Sequence, residues 1–183
     1  MATAFRRAAG FALLAVFALV PSLAIAQQQS KSEKLAAELV ALLDARKLDS
    51  AAAAGPSAGE YVGALYFPGS QLLVVGAAYS SPERMALLLR ARQYREAYID
   101  LNSGSDPQTK LFVSDLAANG LHFDRSGNQP FDTIDVGGKS YAFNGDWGKQ
   151  KLSRAEYTKV YASTDDRYSQ MLEALLAELK KTP

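Results

Sequence analysis

Leucines recur at helical spacing between residues 32 and 47. They lie three or four positions apart, or side by side, and so share one face of a helix. Ser30 and Glu33 have the spacing of a capping box at the start of that helix. We therefore predict an amphipathic helix over residues 32–47, whose apolar stripe packs on the rest of the domain. The stripe consists of Leu35, Leu39, Leu42 and Leu43.

Two helices are predicted near the other end of the chain. Ser153 and Glu156 again have capping-box spacing and would begin a short first helix. Asp165 and Asp166 suit the positive end of a helix dipole, and Lys180 suits the negative end. These charges predict a second helix from about Asp165 to Lys180.

The residues between these helices predict strands joined by tight turns. Residues 61–67 and 71–79 form two strand candidates separated by Pro68-Gly69, and the run 72–75 does not alternate, so both of its faces should be covered. Further strand candidates are residues 96–102, 110–116, 120–124, 133–136 and 139–143, with hairpin signals at Asn119-Gly120 and Gly137-Gly138.

This order of elements predicts the α+β class. One helix, near Pro82 to Arg92, is inserted among strands that are joined mainly by hairpins. We expect an antiparallel sheet or a small split barrel of about six or seven strands. An N-terminal helix, the inserted helix and two C-terminal helices would pack against it.

Residues 49–59 are rich in Ala, Gly, Ser and Pro, which predicts a connector. The expected organisation is a signal peptide over residues 1–26, a helix and linker over 27–59, and an α+β domain over 60–183 on which that helix packs. The 157 residues after the signal are enough to bury one core without disulfides, and the chain has no cysteine.

The first 26 residues have the three parts of a signal peptide. Arg6 and Arg7 precede an apolar run that ends at Val20, and Ala24-Ile25-Ala26 closes the segment. The run is too short for a transmembrane helix, which needs ~20 apolar residues. We predict cleavage after Ala26 and a soluble protein in the periplasm or outside the cell. The arginine pair leaves the general and the twin-arginine routes both open.

The charge balance argues against nucleic acid and lipid as partners. Removing Arg6 and Arg7 leaves 18 basic and 19 acidic side chains, with no basic block. Such a chain lacks the electrostatic footprint of nucleic-acid binding and the polybasic segment that holds a protein on anionic lipid. After cleavage it would also lack a membrane anchor. We expect an unidentified small molecule or protein as its partner.

Groups that could carry catalysis or a metal are few. His122 is the only histidine and no Gly-x-Ser-x-Gly elbow occurs, so a Ser-His-acid catalytic arrangement would have to use His122.

One histidine and no cysteine exclude the usual structural zinc sites. Oxygen ligands for calcium crowd one loop without EF-hand spacing; they are Asp124, Ser126, Asn128 and Asp132, and Asp135 follows. For glycoside hydrolysis, spacing selects no carboxylate pair from the four candidates Asp100, Asp115, Asp132 and Asp135. A non-catalytic ligand-binding or interaction module is therefore the leading hypothesis.

Gly76, Ala77 and Ala78 remove side-chain bulk at the end of the second strand. Either a helix or a ligand could approach the backbone there. A ligand phosphate would need cations, and the arginines around the inserted helix could supply them. Alternatively, Arg90, Arg92 and Arg95 complement the C-terminal end of that helix.

The order of strands and helix over residues 60–144 resembles the FMN-binding split barrels of the pyridoxamine-phosphate-oxidase type. This resemblance implies a bound FMN, a flavin-dependent redox function and a homodimer with its site at the interface. Residues 61–75 also resemble small exported bacterial proteins, a likeness that adds no activity. The candidate ligand-binding residues are Gly76, Arg84, Arg92, Arg95 and Tyr98.

Overall fold

The computed structural model describes residues 30–68, 71–91, 109–122, 132–143 and 145–181. One 3-10 turn lies at Trp147–Lys149. The predicted α+β class is confirmed. The helices span Lys31–Arg46 (α1), Pro82–Ala91 (α2) and Arg154–Lys181 (α3). The strands are Ser50–Ala54 (β1), Tyr61–Phe67 (β2), Gln71–Ala77 (β3), Thr109–Asp115 (β4), Thr133–Val136 (β5) and Lys139–Ala142 (β6).

The strands form one antiparallel sheet in chain order, β1 to β6. Each strand pairs with the next, and the Gly137-Gly138 turn joins β5 to β6 as predicted. In the described part of the chain the sheet is open, with β1 and β6 as its edges. Of the two forms expected from the sequence, the structure therefore has the open sheet.

Helices cover both faces of the sheet, so the non-alternating run of β3 is buried on both sides as predicted. Leu72 and Val74 pack with α1 and α3 in the larger core. Leu73 and Val75 pack on the opposite face with Met85 and Leu89 of α2. No helix among the described residues is both long enough and apolar enough to cross a membrane.

The connector predicted at residues 49–59 is wrong in part, because Ser50–Ala54 form strand β1. All five residues pair with β2, in register from Ser50↔Leu65 to Ala54↔Tyr61. Alanine has a low intrinsic preference for strands, but pairing and packing override that preference. Ala51 and Ala53 are buried in the core beneath α1 and α3.

The two predicted C-terminal helices are a single helix, α3, of 28 residues. Its predicted start is confirmed, since the Ser153 backbone N–H donates to Glu156 at 2.7 Å and the Glu156 N–H donates to Ser153 Oγ at 3.3 Å. Neither Gly nor Pro interrupts the helix, and its buried residues continue past position 165. Asp165 does not cap a second helix; its carboxylate accepts a hydrogen bond from Ser32 of α1.

The strand predicted at residues 120–124 is absent from Gly120–His122, the part of it that the structure describes. The Asp115 carboxylate instead accepts the backbone N–H groups of Asn119 at 2.8 Å and of Gly120 at 2.6 Å, which closes a turn after β4. Strand β4 then pairs with β5. The candidate strand at residues 96–102 lies outside the described residues.

Candidate functional site

The residues predicted to bind a ligand do not come together in the described part of the chain. Gly76 faces α3, because a Cβ there would overlap Met171 and would lie 2.7 Å from Glu60 Oε1. Arg84 is exposed on α2, on the opposite face of the sheet. Gly76 is therefore a point of close helix packing, the first of the two uses considered for it. Arg92, Arg95 and Tyr98 lie outside the described residues.

Two of the candidate carboxylates are structural acceptors. Asp115 holds the turn after β4, and Asp132 accepts the backbone N–H groups of Leu116 at 2.9 Å and of His122 at 2.5 Å. A carboxylate that accepts two backbone N–H groups stabilises the local chain path. Among the described residues, no group of three or more His, Asp or Glu could hold a metal ion. Asp100, Asp124, Ser126 and Asn128 lie outside those residues.

Asp135 is a buried candidate acid on β5. Burial raises the pKa of its carboxyl group, and the hydroxyl of Ser140, opposite it on β6, offsets only part of that rise. It lines neither the groove at His122 nor the cavity at Arg167.

His122 lines an open groove of about 500 Å³ beside the start of α1. The other charged groups of this groove are already engaged in structural contacts. Asp165 accepts a hydrogen bond from Ser32, and the Arg154 guanidinium lies 5.9 Å from the centre of the Trp147 ring. The residues that the structure describes around this groove therefore do not identify His122 as a general base.

A second cavity, of about 270 Å³, lies between α3 and strands β4 to β6. We call it the Arg167 pocket. One wall is a stripe of α3 at helical spacing, and the other wall is formed by the three strands. The α3 stripe is Val160, Ser163, Thr164 and Arg167, and the strands contribute Lys110, Leu111, Val136 and Tyr141. Glu60, just before β2, completes the lining.

An ion pair between Glu60 and Arg167 joins the sheet to α3 at this pocket. Arg167 Nη2 donates to Glu60 Oε2, and only 3% of the Glu60 side chain is exposed, against 32% for Arg167. The backbone of Glu60 is fixed as well, because its carbonyl accepts the Gly55 N–H at 2.7 Å and its own N–H donates to Ser57 at 3.0 Å. The carboxylate therefore holds the guanidinium in one place.

The second oxygen of Glu60 is less well satisfied. Oε1 is buried next to Gly76 and has no hydrogen-bond partner among the described residues. A buried charged acceptor without a partner costs about 1–3 kcal/mol or more. A buried ion pair is also often no more stable than an apolar pair of the same volume. Stability alone therefore does not explain why a Glu and an Arg occupy these positions.

This ion pair is hard to predict from the sequence, because 107 positions separate its members. One signal was present. Thr164, Arg167 and Met171 recur at helical spacing, and this places an arginine beside the buried stripe of α3.

Comparison with known proteins gives no relative for this chain: no protein-family model, no curated protein and no solved structure matches it.

Proposed function

We propose that this protein is an exported, non-catalytic module that binds a small ligand in the Arg167 pocket. The observation that carries the proposal is the buried carboxylate of Glu60, which fixes the Arg167 guanidinium at the pocket wall. Fixing a charged group at a cavity wall is how a binding site is made ready before its ligand arrives.

The groups around the pocket are suited to holding a ligand. The Glu60 carboxylate is paired with Arg167, and the Ser163 hydroxyl donates a hydrogen bond to the carbonyl of Val160 at 2.9 Å. Lys110 and Arg167 supply positive charge, while Leu111, Val136 and Val160 supply apolar contact. Small-ligand sites commonly combine such apolar walls with a few fixed polar groups.

A substitution that fills the pocket tests this proposal. Ser163 is exposed at the pocket and Gln170 is exposed elsewhere on α3, so Ser163→Trp and Gln170→Trp are matched changes. We expect a screen of small metabolites, followed by ligand-observed NMR and thermal shift, to find compounds that bind the wild-type protein and Gln170→Trp. The same compounds should not bind Ser163→Trp, because the indole occupies their site.

Two results would contradict the proposed function. A complete screen in which every bound compound still binds Ser163→Trp would show that the Arg167 pocket is not the site. A yellow preparation with the visible absorption of a flavin would instead support the FMN hypothesis.

The export half of the proposal predicts a defined mature N-terminus. Protein recovered from the periplasm of a bacterial host should begin at Gln27, because Ala24-Ile25-Ala26 has the small-residue pattern that signal peptidase cleaves. Intact mass measurement checks this. Protein that keeps residues 1–26, or that stays in the cytoplasm, would contradict it.

A further inference from the structure

We propose that the ligand of the Arg167 pocket is a small monocarboxylate with an apolar body. This inference rests on the proposed function and names the class of molecule that the site selects. Three features of the pocket carry it: the net charge of its lining, the geometry of a fixed guanidinium, and the apolar surface beside that guanidinium.

The charge of the lining favours a ligand with one negative charge. Lys110 and Arg167 are cationic and Glu60 is anionic, and these are the charged side chains among the described residues that line the pocket. Their sum is one positive charge. A monoanion neutralises it, whereas a cation would be repelled and a dianion would leave excess negative charge beside the buried Glu60.

The guanidinium favours a planar anion. Arg167 has five N–H donors and makes one hydrogen bond, to Glu60, among the described residues. The remaining donors lie in the same plane and can form two parallel hydrogen bonds with a carboxylate. Because Glu60 already holds the guanidinium, little side-chain entropy is lost when the ligand binds.

The remaining walls favour an apolar body. Leu111 of β4 lies opposite Val136 of β5 in the sheet register, and Val160 faces the pocket from α3. A volume of about 270 Å³ falls just below the range of drug-sized sites. A short aliphatic chain fits these walls, and inorganic phosphate has nothing to place against them.

Probes that differ only in their charged end test this inference. Hexanoate, hexanamide and hexylammonium share the same apolar chain, and inorganic phosphate has none. Titration calorimetry should show that hexanoate binds the wild-type protein at least about 10-fold more tightly than each of the other three, because charge-assisted hydrogen bonds are worth more than neutral ones.

Variants of Arg167 and Lys110 show which of the two cations binds the carboxylate of hexanoate. Arg167→Met should weaken hexanoate binding by about 10-fold or more, and Arg167→Lys should weaken it less, because the charge remains and the planar fork is lost. Lys110→Met should weaken it by a few fold, as expected for a single partly solvated charge. Lys159→Met on α3 and Lys139→Met on β6 replace exposed lysines outside the pocket and should leave binding unchanged.

The results separate the ligand class from the proposed function. The monocarboxylate assignment is overturned if hexanamide or hexylammonium binds as tightly as hexanoate, or if hexanoate affinity survives Arg167→Met. Should Arg167→Met not fold, Arg167→Lys and the exposed Lys110→Met decide the same question. Pocket ligands that Ser163→Trp excludes, but that are not carboxylates, would leave the function standing and overturn only the ligand class. If Ser163→Trp excludes nothing, both fall.

Discussion

Gly120→Ala should lower the free energy of unfolding by about 4 kcal/mol, which corresponds to a fall in Tm of about 10 °C. Two causes act together. Gly120 has φ +92°, a backbone conformation that an L side chain rarely adopts. An added Cβ would also lie 2.5 Å from the backbone N and 2.6 Å from the Cα of Glu33, in the first turn of α1. Backbone atoms at a helix start cannot move aside without shifting the helix. Thermal and urea unfolding, followed by circular dichroism, measure the change.

Gly137→Ala is the matched control for this substitution. Gly137 also has positive φ, +60°, but nothing lies within 4 Å of the position that its Cβ would occupy. Its substitution should therefore cost only about 1 kcal/mol, the backbone strain alone. If the two variants were equally stable, the packing of α1 against the turn after β4 would be contradicted.

Asp115→Ala is the second large effect that we expect, again with a loss of about 4 kcal/mol. Asp115 is fully buried, and its carboxylate accepts the N–H groups of Asn119 and Gly120 and, at 3.2 Å, the hydroxyl of Tyr168. Alanine leaves these three donors without that acceptor, and two of the lost hydrogen bonds, from Gly120 and Tyr168, are buried. Each buried donor without a partner costs about 1–3 kcal/mol before the chain relaxes. Asp166→Ala, at an exposed position of α3, should change stability little.

A substitution at Tyr168 measures how much of the stability lost in Asp115→Ala comes from the Tyr168 hydrogen bond. Burial, followed by the nearby charge of Asp115, raises the pKa of the Tyr168 hydroxyl above its usual value, so the hydroxyl is protonated at neutral pH and can donate a hydrogen bond. Tyr168→Phe alone should cost about 1 kcal/mol. It should cost almost nothing when added to Asp115→Ala, because its acceptor is already gone. Full additivity in urea unfolding of the double variant would contradict the hydrogen bond.

Local signals in the sequence predicted local structure correctly. Ser30 caps α1 by accepting the Glu33 N–H at 3.2 Å, Ser153 and Glu156 cap α3, and Gly137-Gly138 turns β5 into β6. In each case the interacting groups are at most a few positions apart, so the pattern contains both partners.

The failures have the opposite cause. Residues 50–54 become a strand only because β2 offers a register for them, and that partner was not visible in an alanine-rich segment. Asn119-Gly120 does form a turn, but its backbone N–H groups donate to the Asp115 side chain, so the turn ends β4 and does not open a hairpin. Short-range patterns cannot show which side chain will satisfy a backbone group.

The candidate site could not be predicted from the sequence for the same reason. Gly76 was identified correctly as a position of close approach, and the packing of Met171 against it accounts for that. Arg84 was included as a cation that could meet a ligand phosphate, yet the sheet lies between it and Gly76. Glu60 and Arg167 come together only when α3 docks on the sheet.

The pairing of the first and last helices also sets an order for folding. Every strand of the sheet bonds to its neighbour in the chain, so most of the sheet needs only short loops to close. By contrast, the contacts from Ser32 to Asp165 and from Arg46 to the carbonyl of Leu179 each span 133 positions. Closing a loop of that length carries a larger entropic cost, so we expect the helical layer to assemble last.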